Sequence, residues 1–209
     1  MQSFPSMSII ESFTNEKDRS LDSDVMNAHQ KASLGTGNLM KYVEDYYQVN
    51  DDFDSIAGLS QIMQAEAIRF AVETHRRNMP YCMGTLYWQF NDCWPVISWS
   101  SIDYGGNWKA LHYAARKFFS PLLVSIRDLD NKIEIYVIND QHHEIESEIR
   151  LGLFNFNGDT LFDDSSDIKV GPFSSVIYHT FHKNDLLGGS DPSAIIFRAE
   201  LFVGGKVLS

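Results

Sequence analysis

Hydrophobic residues recur at two different spacings along the sequence, and the spacing changes near Pro121. Before that point the clearest pattern covers residues 60–78, where apolar side chains return every three or four positions and predict an amphipathic helix. Ser60 is suited to cap its first turn, and Pro80 follows its end. Weaker helical patterns cover residues 22–31, 38–48 and 108–119. The Gly-rich stretch 35–37 predicts a break between the first two of these.

One short stretch, residues 82–90, interrupts the helical pattern. It contains no charged residue, is rich in aromatic side chains and is bounded by Pro80 and Asn91, so it predicts a buried strand. The four tryptophans of the chain are found from this stretch to the start of the next helix, at Trp88, Trp94, Trp99 and Trp108. A single parallel strand needs neighbours for its backbone hydrogen bonds. Residues 1–121 are therefore predicted to be one part of a larger α/β domain.

After Pro121 the sequence consists of short alternating runs separated by turn residues. The runs cover residues 122–128, 132–140, 144–154, 167–171, 174–181 and 194–203. Evenly spaced short strands of this kind predict an antiparallel β-sandwich over residues 122–209. The last run is followed by the turn Gly204-Gly205, and the sequence stops at Ser209, so we expect the sandwich to lack its final strand. The predicted domains are therefore residues 1–121 and 122–209.

Composition and charge argue against several classes of protein. The hydrophobic fraction of 44% is typical of globular proteins. A formal net charge of −11 would repel phosphates, so no nucleic-acid partner is expected. No apolar run is long enough to span a bilayer, so no membrane partner is expected either. Cys82 and Cys93 flank the predicted strand, which would hold them about 30 Å apart, and both are predicted to be free and buried.

The residues around the predicted strand and the following helix carry a family resemblance. Residues 83–125, MGTLYWQFNDCWPVISWSSIDYGGNWKALHYAARKFFSPLLVS, closely resemble the last barrel strand, loop and helix of β-mannosidases in glycoside hydrolase family 2. Residues 2–6, QSFPS, resemble the segment that follows the seventh barrel strand of those enzymes. The resemblance implies the last unit of a (β/α)8 TIM barrel in residues 1–121, with the site at the carboxyl ends of the strands. It implies an immunoglobulin-like sandwich in residues 122–209.

The same resemblance implies the chemistry and the site residues. In that family two glutamates act by a retaining mechanism, with carboxyl groups about 5–5.5 Å apart. Both are expected upstream of this chain, so it contains no catalytic residue and should be inactive alone. Trp88 matches the tryptophan that forms the floor under the sugar, and a flat aromatic ring suits the apolar face of a pyranose. Asn91 and Asp92 are the other substrate-binding candidates; they could bond sugar hydroxyls or brace the loop, and bracing is favoured.

Other polar clusters are weaker candidates. Without the resemblance, Asp92 and Asp103 would be the natural acid/base pair, but two acids in a loop are more often turn formers. His142 and His143 are adjacent, so on a strand they point to opposite faces and do not converge on a metal. No metal site and no cofactor is therefore predicted.

The resemblance predicts the function of the intact parent protein. It would hydrolyse terminal non-reducing β-D-mannose residues from oligosaccharides or glycoconjugates, and its partner would be that substrate. Another family 2 specificity, of the β-galactosidase or β-glucuronidase type, is an alternative within enzymes. The alternative from another class is a non-catalytic carbohydrate-binding module formed by residues 122–209. Because the predicted strand is apolar on both faces, the chain alone is also expected to self-associate. The sequence does not indicate the cellular compartment of the protein.

Overall fold

The computed structural model describes residues 1–50 and 52–208, which form two compact units. The first unit consists of Met1–Val72 and Leu86–Arg116. The second consists of Glu73–Thr85 and the chain from Lys117 onward. The helices in chain order are α1 Met7–Phe13, α2 Asp24–Ala28, α3 Gly35–Tyr46, α4 Phe53–Arg77, α5 Ala110–Phe118 and α6 Lys183–Leu187. Short 3₁₀ turns cover Glu16–Asp18 and Pro192–Ala194. None of the described helices is long and apolar enough to cross a bilayer.

The first unit is built around α4, which packs its apolar stripe against the amino-terminal segment and the shorter helices. The buried residues of this core are Phe4, Ile10, Met26, Leu39, Val43, Ile56, Ala57, Met63 and Ile97. Polar side chains of α4 also reach into it: Gln64 accepts a hydrogen bond from the Ser3 hydroxyl at 2.8 Å. The Gln64 amide donates to the Met1 carbonyl at 3.1 Å. These bonds fix the first residues of the chain along the helix.

The helical predictions are correct in type and differ at their boundaries. Helix α4 begins at Phe53 rather than at Ser60, and Asp52 accepts a hydrogen bond from the Ser55 amide at 3.0 Å at its start. Ser60 is therefore not a cap. Its hydroxyl donates to the Ala57 carbonyl at 2.7 Å and accepts from the Phe4 amide at 3.0 Å. The expected break at residues 35–37 is also wrong, because these residues form the first turn of α3.

The predicted buried strand over residues 82–90 does not form. Among the described residues this segment joins no sheet, and its apolar side chains are exposed: Leu86 by 99%, Trp88 by 73% and Phe90 by 60%. At the carboxyl end of the segment, the Gln89 amide instead donates a hydrogen bond to the Trp99 carbonyl, in the loop that follows, at 3.0 Å. The physical reason is that a strand needs a neighbouring backbone, and the described residues offer none here.

The cysteine prediction is partly wrong for the same reason. Both cysteines are free, as predicted. Cys93 is exposed and Cys82 is half-buried, so neither lies in a core, because the strand that would have buried them does not form.

The second unit is a sandwich of two antiparallel sheets. Its strands are β1 Leu122–Asp128, β2 Lys132–Asn139, β3 Ile145–Asn155, β4 Thr160–Val170, β5 Ser174–His182, β6 Ile195–Val203 and β7 Lys206–Val207. The strand orders are β1-β2-β5 and β4-β3-β6-β7. The buried core comprises Leu122, Ile133, Ile135, Val137, Ile149, Leu151, Ile168, Val170 and Leu201. Strand β4 begins at Thr160, earlier than the run at residues 167–171 indicated, and β7 returns directly after the Gly204-Gly205 turn.

The end of α4 belongs to this second unit because a buried polar network joins it to β1. The Ser125 hydroxyl donates to Glu73 Oε2 at 2.6 Å, and Arg77 donates to Ser125 Oγ at 2.6 Å. The Arg77 guanidinium lies 3.7 Å from the Glu73 carboxylate, and both side chains are more than 90% buried. Arg76 adds an ion pair of 2.8 Å with Asp140.

Candidate functional site

The candidate site lies in the first unit, where the aromatic loop follows Trp88. The Trp88 side chain is 73% exposed, and the peptide bond between Trp88 and Gln89 is cis. Gln89 is held firmly next to it. The Gln89 carbonyl accepts from the Ser101 amide at 3.0 Å, and the Gln89 side-chain amide donates to Asp92 Oδ1 at 3.0 Å and to the Asn91 carbonyl at 2.8 Å. The Trp88 indole therefore lies at the surface, next to a residue, Gln89, whose backbone and side chain are fixed by hydrogen bonds.

Asp92 lies beneath this surface and its carboxylate contacts the protein itself. It is 6% exposed. Its Oδ2 accepts hydrogen bonds from the hydroxyls of Ser98, at 2.6 Å, and Ser100. Its Oδ1 lies 3.5 Å from the Lys31 ammonium. The serine contacts tie one part of the loop to another, and the Lys31 contact ties the loop to the segment between α2 and α3, so the geometry suits a bracing role for Asp92.

Asn91 differs from Asp92 in that its side chain is exposed. Its backbone forms an isolated bridge with Ile102. Trp88 and Asn91 are therefore both at the surface, with Gln89 between them in the chain, and Asp92 is below. The three predicted binding residues do not share one exposed face.

Asp103 is a second buried acid and holds the turn that precedes α5. Its carboxylate accepts from the Ser6 hydroxyl at 2.6 Å, the Ser6 amide at 3.2 Å and the Asn107 amide at 2.9 Å. Burial alone would raise its pKa, but these hydrogen bonds lower the pKa of Asp103 below the ordinary value. Within the turn, a side chain at Gly105 would meet Ile9 Cδ1 at 2.6 Å, and Gly106 has φ +83°. Position 106 therefore favours glycine for its backbone conformation, and a larger residue at position 105 would have to displace the end of the Ile9 side chain.

Lys109 is the residue of this site that sequence reasoning missed. It is 1% exposed, and its ammonium donates to the carbonyls of Ser3, at 3.2 Å, and Ser98, at 3.5 Å. Burial lowers the pKa of Lys109 to about 7, while the charges of Asp92 and Asp103 act in the opposite direction. A lysine at the start of an amphipathic helix is normally exposed to solvent, so no local pattern in the sequence predicted its burial.

An aromatic stack beside the loop was not predicted either. The rings of Phe13 and His29 are parallel with centroids 3.8 Å apart, and Trp94 follows at 5.0 Å from His29. His29 Nδ1 lies 2.6 Å from the Pro95 carbonyl, which can only accept, so this nitrogen carries the proton. The stack holds Trp94, two residues after Asp92 in the loop, and leaves it 38% exposed.

Comparison with known domain families identifies the sandwich. Residues 131–209 match the family described as Mannosidase Ig/CBM-like domain. Together with the two packed antiparallel sheets, this match makes the second unit an immunoglobulin-like sandwich.

Comparison with curated proteins and solved structures extends the match to the whole chain. The β-mannosidase of Capra hircus is 35% identical over 166 residues, 72% of this chain and 19% of that protein. The β-mannosidase of Bos taurus is 32% identical over 206 residues, 90% of this chain and 23% of that protein. A crystal structure of a β-D-mannosidase from Dictyoglomus thermophilum covers the whole chain with 31% identity and a TM-score of 0.92.

More distant structures share the fold. An exo-chitosanase from Amycolatopsis orientalis also covers the whole chain, with a TM-score of 0.78 and 17% identity, which shows the common fold alone. The chain spans 25% of the Dictyoglomus thermophilum protein and 26% of the exo-chitosanase chain. The chain is therefore similar over most or all of its length to β-mannosidases, as a segment that spans about a quarter or less of its β-mannosidase relatives.

Proposed function

We propose that the longer protein containing this chain is a retaining β-mannosidase. It would release terminal non-reducing β-D-mannose residues from oligosaccharides or glycoconjugates. The support is that relatives from mammals and from a bacterium, matched over most or all of the chain, carry the name β-mannosidase or β-D-mannosidase. Residues 1–121 would then be the carboxyl-terminal portion of a TIM-barrel catalytic domain, and residues 122–209 the immunoglobulin-like domain after it.

The observation that carries the proposal in this chain is the exposure of Trp88. A tryptophan that is 73% exposed gains little from packing, whereas a flat aromatic face binds the apolar C–H face of a pyranose. The hydrogen bonds of Gln89 hold the adjoining backbone in place, so the platform is preorganised. Asn91 would contact sugar hydroxyls at its rim, and Asp92 would brace the loop from below.

The catalytic step itself would use groups outside this chain. By the family resemblance, both catalytic glutamates precede Gln2, so the 209-residue chain alone is proposed to hydrolyse nothing. What the chain contributes is the sugar platform and the loop that holds it.

The test is release of nitrophenol from the β-mannoside, compared with the β-galactoside and β-glucuronide. In the longer protein, Trp88→Ala should lower kcat/KM for the β-mannoside by two or more orders of magnitude, about 3 kcal/mol of transition-state stabilisation. Its melting temperature should change little. Trp108→Ala is the control: that side chain is 44% exposed and packs edge-on against His112 and Tyr113. It should mainly cost stability, about 2 kcal/mol, half of the usual buried value.

Two outcomes would overturn the proposal. One is a preference for the β-galactoside or β-glucuronide, which would favour the other family 2 specificities. The other is a Trp88→Ala variant with unchanged kcat/KM. Turnover by the 209-residue chain that increases with its concentration and survives re-purification would show that the catalytic carboxylates have been misplaced.

The carbohydrate-binding alternative in the sandwich has less support. A groove of about 490 Å³ on the four-stranded sheet is lined by Glu146, Glu148, Lys169 and Phe202, among others. Its aromatic ring is not open to a sugar, because the Arg150 guanidinium lies 4.0 Å from the Phe202 centroid. The sandwich thus presents no free platform comparable to Trp88 at this groove.

A further inference from the structure

The buried ammonium of Lys109 lies at the junction of two backbone segments. Ser3, in the amino-terminal segment, and Ser98, in the aromatic loop, form an isolated antiparallel bridge. The Ser3 amide donates to the Ser98 carbonyl at 2.9 Å, and the Ser98 amide donates to the Ser3 carbonyl at 3.3 Å. Lys109 Nζ donates to both of these carbonyls, at 3.2 Å for Ser3 and 3.5 Å for Ser98. One side chain therefore joins both segments.

A continuous chain of hydrogen bonds leads from this junction to the candidate sugar platform. The hydroxyl of Ser98 donates to Asp92, and Asp92 accepts from the side chain of Gln89. Gln89 directly follows Trp88. A shift of Ser98 would thus move the carboxylate of Asp92, and through it the residue that anchors Trp88.

The cost of burying a lysine side chain indicates a specific role for it. The charges that act on Lys109 are those of Asp92 and Asp103, and the Lys31 ammonium lies 3.5 Å from Asp92 Oδ1. Among the described residues neither acid lies within ion-pair distance of Lys109: Asp103 accepts from Ser6 and Asn107, and Asp92 accepts from Ser98 and pairs with Lys31. A buried lysine without a close carboxylate is unfavourable compared with an apolar side chain of similar size. What Lys109 adds to the structure is its pair of hydrogen bonds to the Ser3 and Ser98 carbonyls.

We propose that Lys109 is a positioning residue for the sugar site: its side-chain amino group holds the Ser3–Ser98 junction and thereby fixes Asp92, Gln89 and Trp88. The identification of Trp88 as the sugar platform rests on the proposed function. The positioning itself does not, so the two can be tested separately.

The first experiment uses the 209-residue chain, amide hydrogen exchange and ¹⁵N NMR. In Lys109→Met, which keeps the unbranched side chain up to the position before the nitrogen and removes its donors, the protection factors of the Ser3 and Ser98 amides should fall tenfold or more. The Trp88 indole resonance should shift, and the amide of Val43 in α3 should keep its protection. Lys41→Met, which removes an exposed lysine from the same unit, is the matched control and should change none of these.

Chemical rescue separates the ammonium from the shape of the side chain. Lys109→Cys, with Cys82 and Cys93 replaced by serine, can be aminoethylated while unfolded, which restores an ammonium at nearly the same reach. Protection at Ser3 and Ser98 should return with it. A uniform loss of protection across the first unit, or no change at Ser3 and Ser98 in Lys109→Met, would overturn the proposal.

The second experiment measures activity in the longer protein. Lys109→Met should lower kcat/KM for the nitrophenyl β-mannoside tenfold or more, with Lys41→Met unchanged. If the wild-type protein does not cleave the β-mannoside, the proposed function fails, and the exchange experiment still decides on Lys109. If wild type cleaves it and Lys109→Met is equally active, the positioning role is refuted while the proposed function stands.

Discussion

The lowered pKa of Lys109 makes the stability of the first unit depend on pH. The value is about 7 in the folded chain, against 10.5 for an unperturbed lysine, chiefly because the side chain is buried. Between these values the unfolded chain binds one more proton than the folded chain. The unfolding free energy therefore rises with pH, by at most about 1.4 kcal/mol per pH unit. From pH 7 to pH 9 the gain should be about 2 kcal/mol.

The assay is urea unfolding followed by tryptophan fluorescence at a series of pH values from 6.5 to 9. All four tryptophans lie within Leu86–Arg116, so the signal reports the first unit. Lys109→Met has no titrating group at this position. Across the series its unfolding free energy should therefore rise by about 2 kcal/mol less than that of wild type. The Met1 amine, whose pKa is also lowered by burial, contributes equally to both proteins and cancels. Parallel profiles for wild type and Lys109→Met would refute the reasoning.

Two further outcomes are expected. Glu73→Ala leaves the Arg77 guanidinium buried without its carboxylate, and the unfolding free energy of the second unit, followed by hydrogen exchange of the amides in β1 and β2, should fall by about 3–5 kcal/mol; a loss below 1 kcal/mol would contradict a buried pair. The chain should also self-associate through the exposed apolar side chains of Leu86, Trp88 and Phe90, giving dye binding and early elution on size exclusion, both reduced in Leu86→Ser; a monomer without dye binding would contradict this.

The sandwich could be predicted from sequence because each of its strands meets its partners within the chain. Alternation places Ile133, Ile135 and Val137 on one face of β2, and all of them enter the core. Alternation fails where both faces are covered: Glu134 and Ile138, on the opposite face, are also buried. Glu134 is tolerated there because its carboxylate pairs with Lys132 at 2.6 Å. The sequence pattern predicts which residues alternate along a strand, but it does not show whether one or both faces of the strand are buried.

The segment at residues 82–90 shows the opposite case. Its composition is typical of a buried strand, yet a strand exists only through backbone partners, and a local pattern cannot show whether those partners lie in the same chain. The family resemblance predicted the same strand. Trp88 could be singled out as a binding candidate from its place at the end of the predicted strand and from the resemblance, whereas the roles of Ser98 and Lys109 depend on contacts across about 100 residues and left no local trace.

The first unit inverts the usual distribution of polar and apolar groups around its candidate site. Asp92, Ser98, Asp103 and Lys109 are buried, while Trp88 and its apolar neighbours are exposed. Burial of polar groups is tolerated here because every buried side-chain nitrogen or oxygen among the described residues has a hydrogen-bond partner. Such an arrangement contributes little hydrophobic stabilisation, and it leaves open the aromatic surface that packing would normally cover. The buried polar contacts hold the loop rigid from within, whereas the exposure of Leu86, Trp88 and Phe90 follows from the lack of a neighbouring strand among the described residues.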